Sequence, residues 1–306
     1  MRDVEYSRTA GAVRVNVRFM QTAQDNVRDT RWDDETSANA ANGHSVRVAV
    51  DTHVHVYDCF DLDTFFDAAT HNFDVGTPQE QSQPRMDLLC LTDTHGEQTD
   101  TRLCETVRHS KAWSFSYIED QAAVCAEHRE GRRLYLLPGR QIVSKENIEV
   151  LGLDCRYDAV DRSSDLSTLI DGIHQAGGIP VIPWGFGKWT GKRGQCLRTL
   201  LSARADFWLA DSGNRPVCSA EPALFKEARQ RGVPVLAGSD PLPLSRHASR
   251  AGSFGIYGMT GPVEAHPGRV LRGLLKELTA WQIFGRRSSP FEFLISQSLL
   301  RFRKGK

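Results

Sequence analysis

The chain has 306 residues, 40% of them hydrophobic, and 38 Lys and Arg against 38 Asp and Glu. That length supports a large core, as one big α/β domain or two small ones, and the even charge gives no reason to expect nucleic acid, an acidic polymer or an anionic membrane as a partner. No run approaches the roughly 18 apolar residues of a membrane span, the first residues lack the apolar region of a secretion signal, and seven scattered cysteines without a CxxC pair read as reduced thiols in a cytoplasm.

Residues 1–45 are polar and charged, and the stretch DNVRDTRWDDETSANAANG has almost nothing to bury. They are expected to form a disordered or loosely attached leader whose removal leaves the rest folded. Residues 46–306 are expected to form a single domain. Short apolar runs alternate there with helix-like stretches. The expected strands are VRVAVDTHV, MDLLCLTD, RLYLLPG, IEVLGL, GIPVIPW, DFWLAD, VPVLAGSD and SFGIYG. Between them, DLDTFFDAATHNF, SYIEDQAAVCAEHREG, LSTLIDGIHQAG and EPALFKEARQRG have helical spacing, and the last two end in the glycine common at helix C-termini. HPGRVLRGLLKELTAWQIF reads as a closing amphipathic helix, and SPFEFLISQSLLRFRKGK as a shorter one with a basic end.

Repeated strand, helix, strand order predicts a mostly parallel sheet covered by helices, and the element count fits a closed or nearly closed TIM-like β/α barrel of seven or eight strands. Reactive groups in such barrels come from the C-terminal ends of strands. The polar residues that end these runs are Asp51, His53 and His55, then Asp93 and His95, Trp184, Asp211 and Asp240. All are expected at one mouth.

His53 and His55 lie two apart on a strand, so they share a face at a root spacing of about 7 Å, within reach of one cation. Such a pair serves either as two metal ligands or as the lining of a polar pocket. Asp240, after the small residues Gly238 and Ser239, adds a carboxylate suited to the same cation. The stretch PWGFGKWTGKRG, residues 183–194, reads as a loop over the mouth: Lys188, Lys192 and Arg193 suit an anion, and Trp184 and Trp189 suit stacking on a sugar or base. Asp211, Asn214 and Arg215 in LADSGNRP are further candidate substrate contacts. The same stretches also read as ordinary surface turns. His174, in a helix beside apolar residues, reads as structural. No nucleophile elbow, phosphate-binding P-loop or Rossmann fingerprint occurs.

Several motifs together resemble the PHP (polymerase and histidinol phosphatase) branch of metal-dependent hydrolases, from about Val46 to Gly258. VDTHVH is similar to that family's opening histidine motif, LCLTDTHG to its second motif, and LLPGRQIVSKENIEVLGL to the segment that contributes a bridging glutamate. AGGIPVIPW resembles its helix and strand ending in Ala-His-Pro, and VPVLAGSDPL its closing Gly-Ser-Asp-x-His. The resemblance implies a distorted seven-stranded barrel and metal-dependent hydrolysis. It also locates the departures: Gln141 at the bridging glutamate, Trp184 near one histidine, Leu242 at the last histidine, and His95 displaced by one.

An amide and an indole cannot hold several close dications as carboxylate and imidazole can, so a trinuclear cluster is not expected. What remains is a single divalent cation (zinc, manganese or iron), or none, on His53, His55 and Asp240. Asp93, His95 or Asp240 would act as base or extra ligand, with Gln141 beside them. The expectation is a phosphoesterase acting on a small anionic or carbohydrate-like substrate. The alternatives are a PHP-like barrel that has lost catalysis and binds a carbohydrate or nucleotide through Trp184, Trp189, Lys188 and Arg215, and an amidohydrolase-type enzyme.

Overall fold

The computed structural model describes residues 45–78, 84–94, 96–106, 110–118, 123–157, 164–260, 266–276 and 281–304. The expected leader and His95 lie outside them. In chain order the elements are β1 (Val46–Val54), α1 (Leu62–Gly76), β2 (Arg85–Leu91), β3 (Trp113–Ile118), β4 (Ala123–His128), β5 (Arg133–Leu137), β6 (Gly139–Val143), β7 (Glu149–Leu153) and α2 (Leu166–Gln175). They continue as β8 (Ile179–Pro183), α3 (Gly191–Ala203), β9 (Trp208–Ser212), α4 (Ala223–Gln230), β10 (Val235–Gly238), β11 (Phe254–Thr260), α5 (Pro267–Lys276), β12 (Trp281–Gly285) and α6 (Pro290–Lys304).

The expected barrel is not there. The strands form two mixed sheets, one of seven strands in the order β12-β11-β1-β2-β5-β4-β3 and one of five in the order β10-β9-β8-β7-β6. Two stretches of sequence misled the expectation. The described residues of SYIEDQAAVCAEHREG form no helix but the end of β3 and all of its antiparallel hairpin partner β4, and the end of HPGRVLRGLLKELTAWQIF is the edge strand β12 after the helix α5. Those hairpins and the β6–β7–β8 meander supply antiparallel pairs, so β1–β2, β2–β5, β8–β9 and β9–β10 are the parallel ones among the described residues.

β1 is hydrogen-bonded to β11 on one side and to β2 on the other, and forms no ladder with β10. The β1–β11 ladder stops at Val50. Beyond it the end of β1 meets β10 through single bonds: Thr52 Oγ donates to the Ala237 carbonyl (2.9 Å), and the Asp240 N–H to the His53 carbonyl (2.9 Å). The sheets also meet where Asp93 bridges Arg140, with the Gln141 N–H on the Asp93 carbonyl (2.9 Å). A glycine marks each seam. A Cβ on Gly139 would lie 2.3 Å from the Leu91 carbonyl oxygen, and one on Gly238 would lie 2.6 Å from the His53 nitrogen, so only a residue without a side chain admits these approaches.

Burial follows the two-residue period of the strands. Val48 and Val50 point into a core shared by both sheets and by Val270, Leu271 and Leu274 of α5, while Ala49 points to the opposite face of the large sheet, against Phe65, Phe66, Ala69 and Phe73 of α1. The outer face of the smaller sheet packs on α2, α3 and α4. Because both faces of β1 are covered, VRVAV reads as an apolar run and not as an alternation. All seven cysteines are unpaired, and among the described residues no helix is long and apolar enough to cross a membrane.

Candidate metal centre

At the C-terminal end of β1, His53 and His55 are buried on one face. Their Nε2 atoms point at each other, 3.1 Å apart. The Nε2 of His53 is also 3.1 Å from Gln141 Oε1 and 3.6 Å from Asp240 Oδ1. His53, His55 and Asp240 each offer one ligand atom, and those atoms all lie within 4.8 Å of one another. In a tetrahedral site with bonds of 2.0–2.1 Å, ligand atoms stand about 3.3–3.4 Å apart. The His53 spacings of 3.1 and 3.6 Å bracket that value, and two imidazole nitrogens with one carboxylate suit zinc, manganese or iron. The residues therefore fit a single divalent cation. Nδ1 of both rings has no hydrogen-bond partner among the described residues, so the usual outer acceptor that steadies a metal-binding imidazole is missing.

The backbone that presents Asp240 is unusual. Its φ is 52°, in the left-handed region that non-glycine residues seldom enter, though aspartate does so more readily than most. Three bonds hold it: its N–H to His53, Ser212 Oγ donating to Oδ2 (2.8 Å), and the Asn214 side-chain amide donating to its carbonyl. Burial alone would raise the Asp240 carboxyl, but His53 and His55 beside it and the Ser212 hydroxyl hold it below the usual range. It is ionised at neutral pH. Burial, reinforced by His53, lowers His55 to about 3 against the pull of Asp240, so its ring is neutral and free to ligate.

Asp51 carries no ligand but ties the site together. Its Oδ1 accepts from the Ser239 N–H (2.8 Å) and the His53 N–H (3.2 Å), and its Oδ2 from the Gly252 N–H (2.8 Å). One buried carboxylate thus clips the ligand end of β1 to the segments after β10 and before β11.

The remaining candidates have partners elsewhere. Asp93 accepts from the Thr99 hydroxyl (2.6 Å) and N–H (2.8 Å) and lies 3.5 Å from Arg140, capping the short helical turn Thr99–Thr101. Asp211 makes a two-pronged pair with Arg215 (2.7 and 2.6 Å), and Arg215 also reaches Ser219 and Ala220. Trp189 is buried edge-on against Phe225, with no ring face free for stacking. Trp184 packs on the same core, and Lys188 pairs with Glu149. Arg193 donates to the Gly187 carbonyl (2.8 Å), and the stretch expected as one loop becomes α3 from Gly191 onward. Leu242 donates its N–H to His247 (3.0 Å), and His174 contacts the Asp206 carbonyl (2.6 Å).

Sequence reasoning missed three neighbours. Ser212 reaches Asp240, Thr92 Oγ lies 3.5 Å from His55 Nε2, and Tyr57 stacks on His55 with ring centroids 5.5 Å apart. Burial raises the Tyr57 hydroxyl, which stays protonated. Two-residue spacing flags Tyr57, which follows His53 and His55 just beyond the end of β1.

No protein-family model and no curated protein matches the chain. Among solved structures it is similar to PsfC from Pseudomonas syringae, at 18% identity and a TM-score of 0.51, over 85% of this chain and 100% of that one. It is similar more weakly to a two-domain protein from Bacteroides vulgatus that contains a predicted PHP-like metal-dependent phosphoesterase, at 10% identity and a TM-score of 0.42, over 80% of this chain and 66% of that one. The first of these likenesses establishes a shared fold for the chain.

Proposed function

We propose that the chain is a metal-dependent hydrolase, with phosphoesters as its substrate class, that holds one divalent cation on His53, His55 and Asp240. The observation that carries this reading is the convergence of two imidazole Nε2 atoms and an ionised carboxylate on one point. The motif resemblance to PHP hydrolases supports the reaction class. A cation held there supplies Lewis acidity, polarising a phosphoryl oxygen and acidifying water.

The chain's own residues do the rest. His53 and His55 hold their Nε2 lone pairs toward one point because Asp51 and the β10 seam fix the end of β1. Ser212 occupies Oδ2 of Asp240, which leaves Oδ1 as the oxygen that would ligate the cation. Asp240 is the most solvent-accessible of the three, with a side chain 20% exposed against 3% for His53, so substrate and water approach from its side. Gln141 presents an amide oxygen at the same place, a polar contact without charge. Asp93 is committed to Thr99 and Arg140 and is not the base.

The reading without catalysis, in which Trp184, Trp189, Lys188 and Arg215 bind a carbohydrate or nucleotide, is weakened because Trp184 and Trp189 pack on the core and Lys188 and Arg215 are taken up in ion pairs. The test measures zinc, manganese and iron binding and p-nitrophenyl phosphate hydrolysis for the wild type, His53→Ala and Asp240→Asn. Asparagine tolerates the left-handed backbone, so Asp240→Asn keeps the fold. About one metal per chain, with hydrolysis that both substitutions abolish, is expected. A wild-type protein that takes up none of the three metals would end the proposal.

A further inference from the structure

A cavity of about 240 Å³ is lined by none of the residues at the histidine cluster. Its walls come from α1 (Asn72), from the 3-10 turn Ser245–Arg250 with Ser253, and from Arg286 and Glu292 at the join of β12 and α6. Three guanidiniums therefore face one carboxylate. Arg286 takes that carboxylate, with two contacts of 3.2 Å to Glu292.

The other two arginines have only neutral partners among the described residues. Arg246 donates to Ser296 Oγ (2.5 Å) and to the Glu292 carbonyl (3.4 Å). Arg250 donates to Ser288 Oγ (3.0 Å) and the Gly213 carbonyl (2.9 Å), and its Nε is buried without a partner. His247 offers no negative charge in return. Its Nδ1 accepts the Leu242 N–H, which places its proton on Nε2, facing Ser296 Oγ at 3.2 Å. Burial, with Arg250 and Arg246 beside it, keeps that ring neutral.

Among the lining residues, three positive groups less one negative leave an excess of two around a small, half-enclosed space, with the Asp240 carboxylate acting on Arg250 from outside that lining. Burial, with Arg286 and Arg246 nearby, lowers the Arg250 guanidinium in spite of Glu292 and Asp240. Arg246 and Arg286 reach water, whereas Arg250 has its Nε buried without a partner, and a dianion set between Arg246 and Arg250 compensates that withdrawn charge. Guanidiniums match phosphate oxygens with paired N–H donors, and the Ser253 hydroxyl lines the same space, whereas the Asn72 amide is spent on the Ser249 and Ala251 carbonyls (3.0 and 2.8 Å). We infer that this cavity binds a small phosphate-bearing anion, either inorganic phosphate or a small phosphomonoester, through Arg246 and Arg250.

The inference stands apart from the proposed hydrolase site, and the experiment keeps the two separate. Full-length protein treated with a chelator is titrated with inorganic phosphate and with methyl phosphate by calorimetry, for the wild type, His53→Ala, Arg246→Ala and Ser249→Asp. Arg246 and Ser249 are both exposed, so the last two variants are expected to fold, and circular dichroism checks it. Wild type and His53→Ala should bind equally, Arg246→Ala should weaken binding by roughly tenfold or more, and Ser249→Asp should abolish it. Tighter binding of methyl phosphate than of phosphate identifies a phosphomonoester as the ligand, and the reverse identifies free phosphate. No binding of either at ~10 mM, binding lost in His53→Ala but kept in Arg246→Ala, or tighter binding of succinate than of phosphate would each overturn the inference.

Discussion

Replacing Gly238 with alanine should damage the metal centre without touching a ligand. The added methyl carbon would lie 2.5 Å from His53 Cβ, 2.6 Å from His53 N and 3.1 Å from His53 Cα. Ordinary contact between such atoms needs about 3.5 Å or more, so β10 must retreat from β1 by roughly 1 Å. Two of the three clashing atoms are backbone and the third is attached to it, so no rotamer change relieves the overlap. Overpacking of this kind costs about 1–3 kcal/mol, which for a chain of this size lowers Tm by roughly 2–6 °C. The larger effect falls on the cation. Asp240 follows Gly238 by two residues and donates its N–H to the His53 carbonyl (2.9 Å), so the retreat pulls the carboxylate from the imidazoles. A metal site tolerates only about 0.2 Å of misplacement, and we expect metal affinity to fall by about 10–100-fold, as when a supporting contact of a ligand is lost. Chelator competition on Gly238→Ala beside the wild type reads the affinity, and thermal melting in chelator reads the fold. Wild-type values in both would refute the account of the seam.

Gln141→Glu places a carboxylate within reach of the cation and should raise metal affinity about tenfold or more; a variant that melts lower and binds no better would show the buried charge finding no partner. Arg215→Met strands the buried Asp211 carboxylate and should cost about 3–5 kcal/mol of stability, measured by denaturant unfolding, with metal binding intact; an unchanged midpoint would show the pair to be dispensable. Burial and two neighbouring arginines lower His247 to about 3. Its contribution to stability is therefore complete above the ordinary histidine value of about 6.5 and is lost as pH falls toward 3, by an amount on the order of several kcal/mol. His247→Gln, which keeps one acceptor and one donor, should flatten that stretch of the stability-against-pH curve, and a parallel loss in both proteins would count against it.

Strand interiors were legible in the sequence because both of their faces are buried. All eight apolar runs read as strands are strands. The failures have local causes. AVCAEH carries alanines and a glutamate that suit a helix, yet Ala123, Val124, Cys125 and Ala126 are all buried between β3 and β5, and tertiary packing overrode propensity. Closure of the sheet was not legible at all. It depends on which edges are already occupied, and the two seams rest on single bonds that leave no periodic trace.

Errors at the site share one form. Strand-end residues were chosen by chemical type, and the two-residue period then put the neighbour in place instead. Asp211 was chosen, but Ser212 faces Asp240 while Asp211 turns to Arg215. Asp93 was chosen, but Thr92 faces His55 while Asp93 turns to Thr99. His53, His55, Gln141 and Asp240 were read at positions the fold brings together, since their relation rests on spacing within a strand and on motif order.

The same bookkeeping of carboxylates argues for one cation and not a cluster. Asp51, Asp93, Asp211 and Asp240 all stand at or just beyond strand ends near the seams, which on composition alone looks like enough negative charge for two or three dications. Asp51 is spent on three backbone N–H groups, Asp93 on Thr99 and Arg140, and Asp211 on Arg215. Among the described residues that leaves Asp240 as the carboxylate facing the histidines. One dication against one carboxylate and two neutral rings leaves a net charge near +1, which an anionic substrate can neutralise on binding; a second dication would raise it to +3 with no further ligand charge, in a buried site where each uncompensated charge is costly. On the proposed reading Gln141 sits where a carboxylate would change that balance, so Gln141→Glu is the substitution expected to change the metal count.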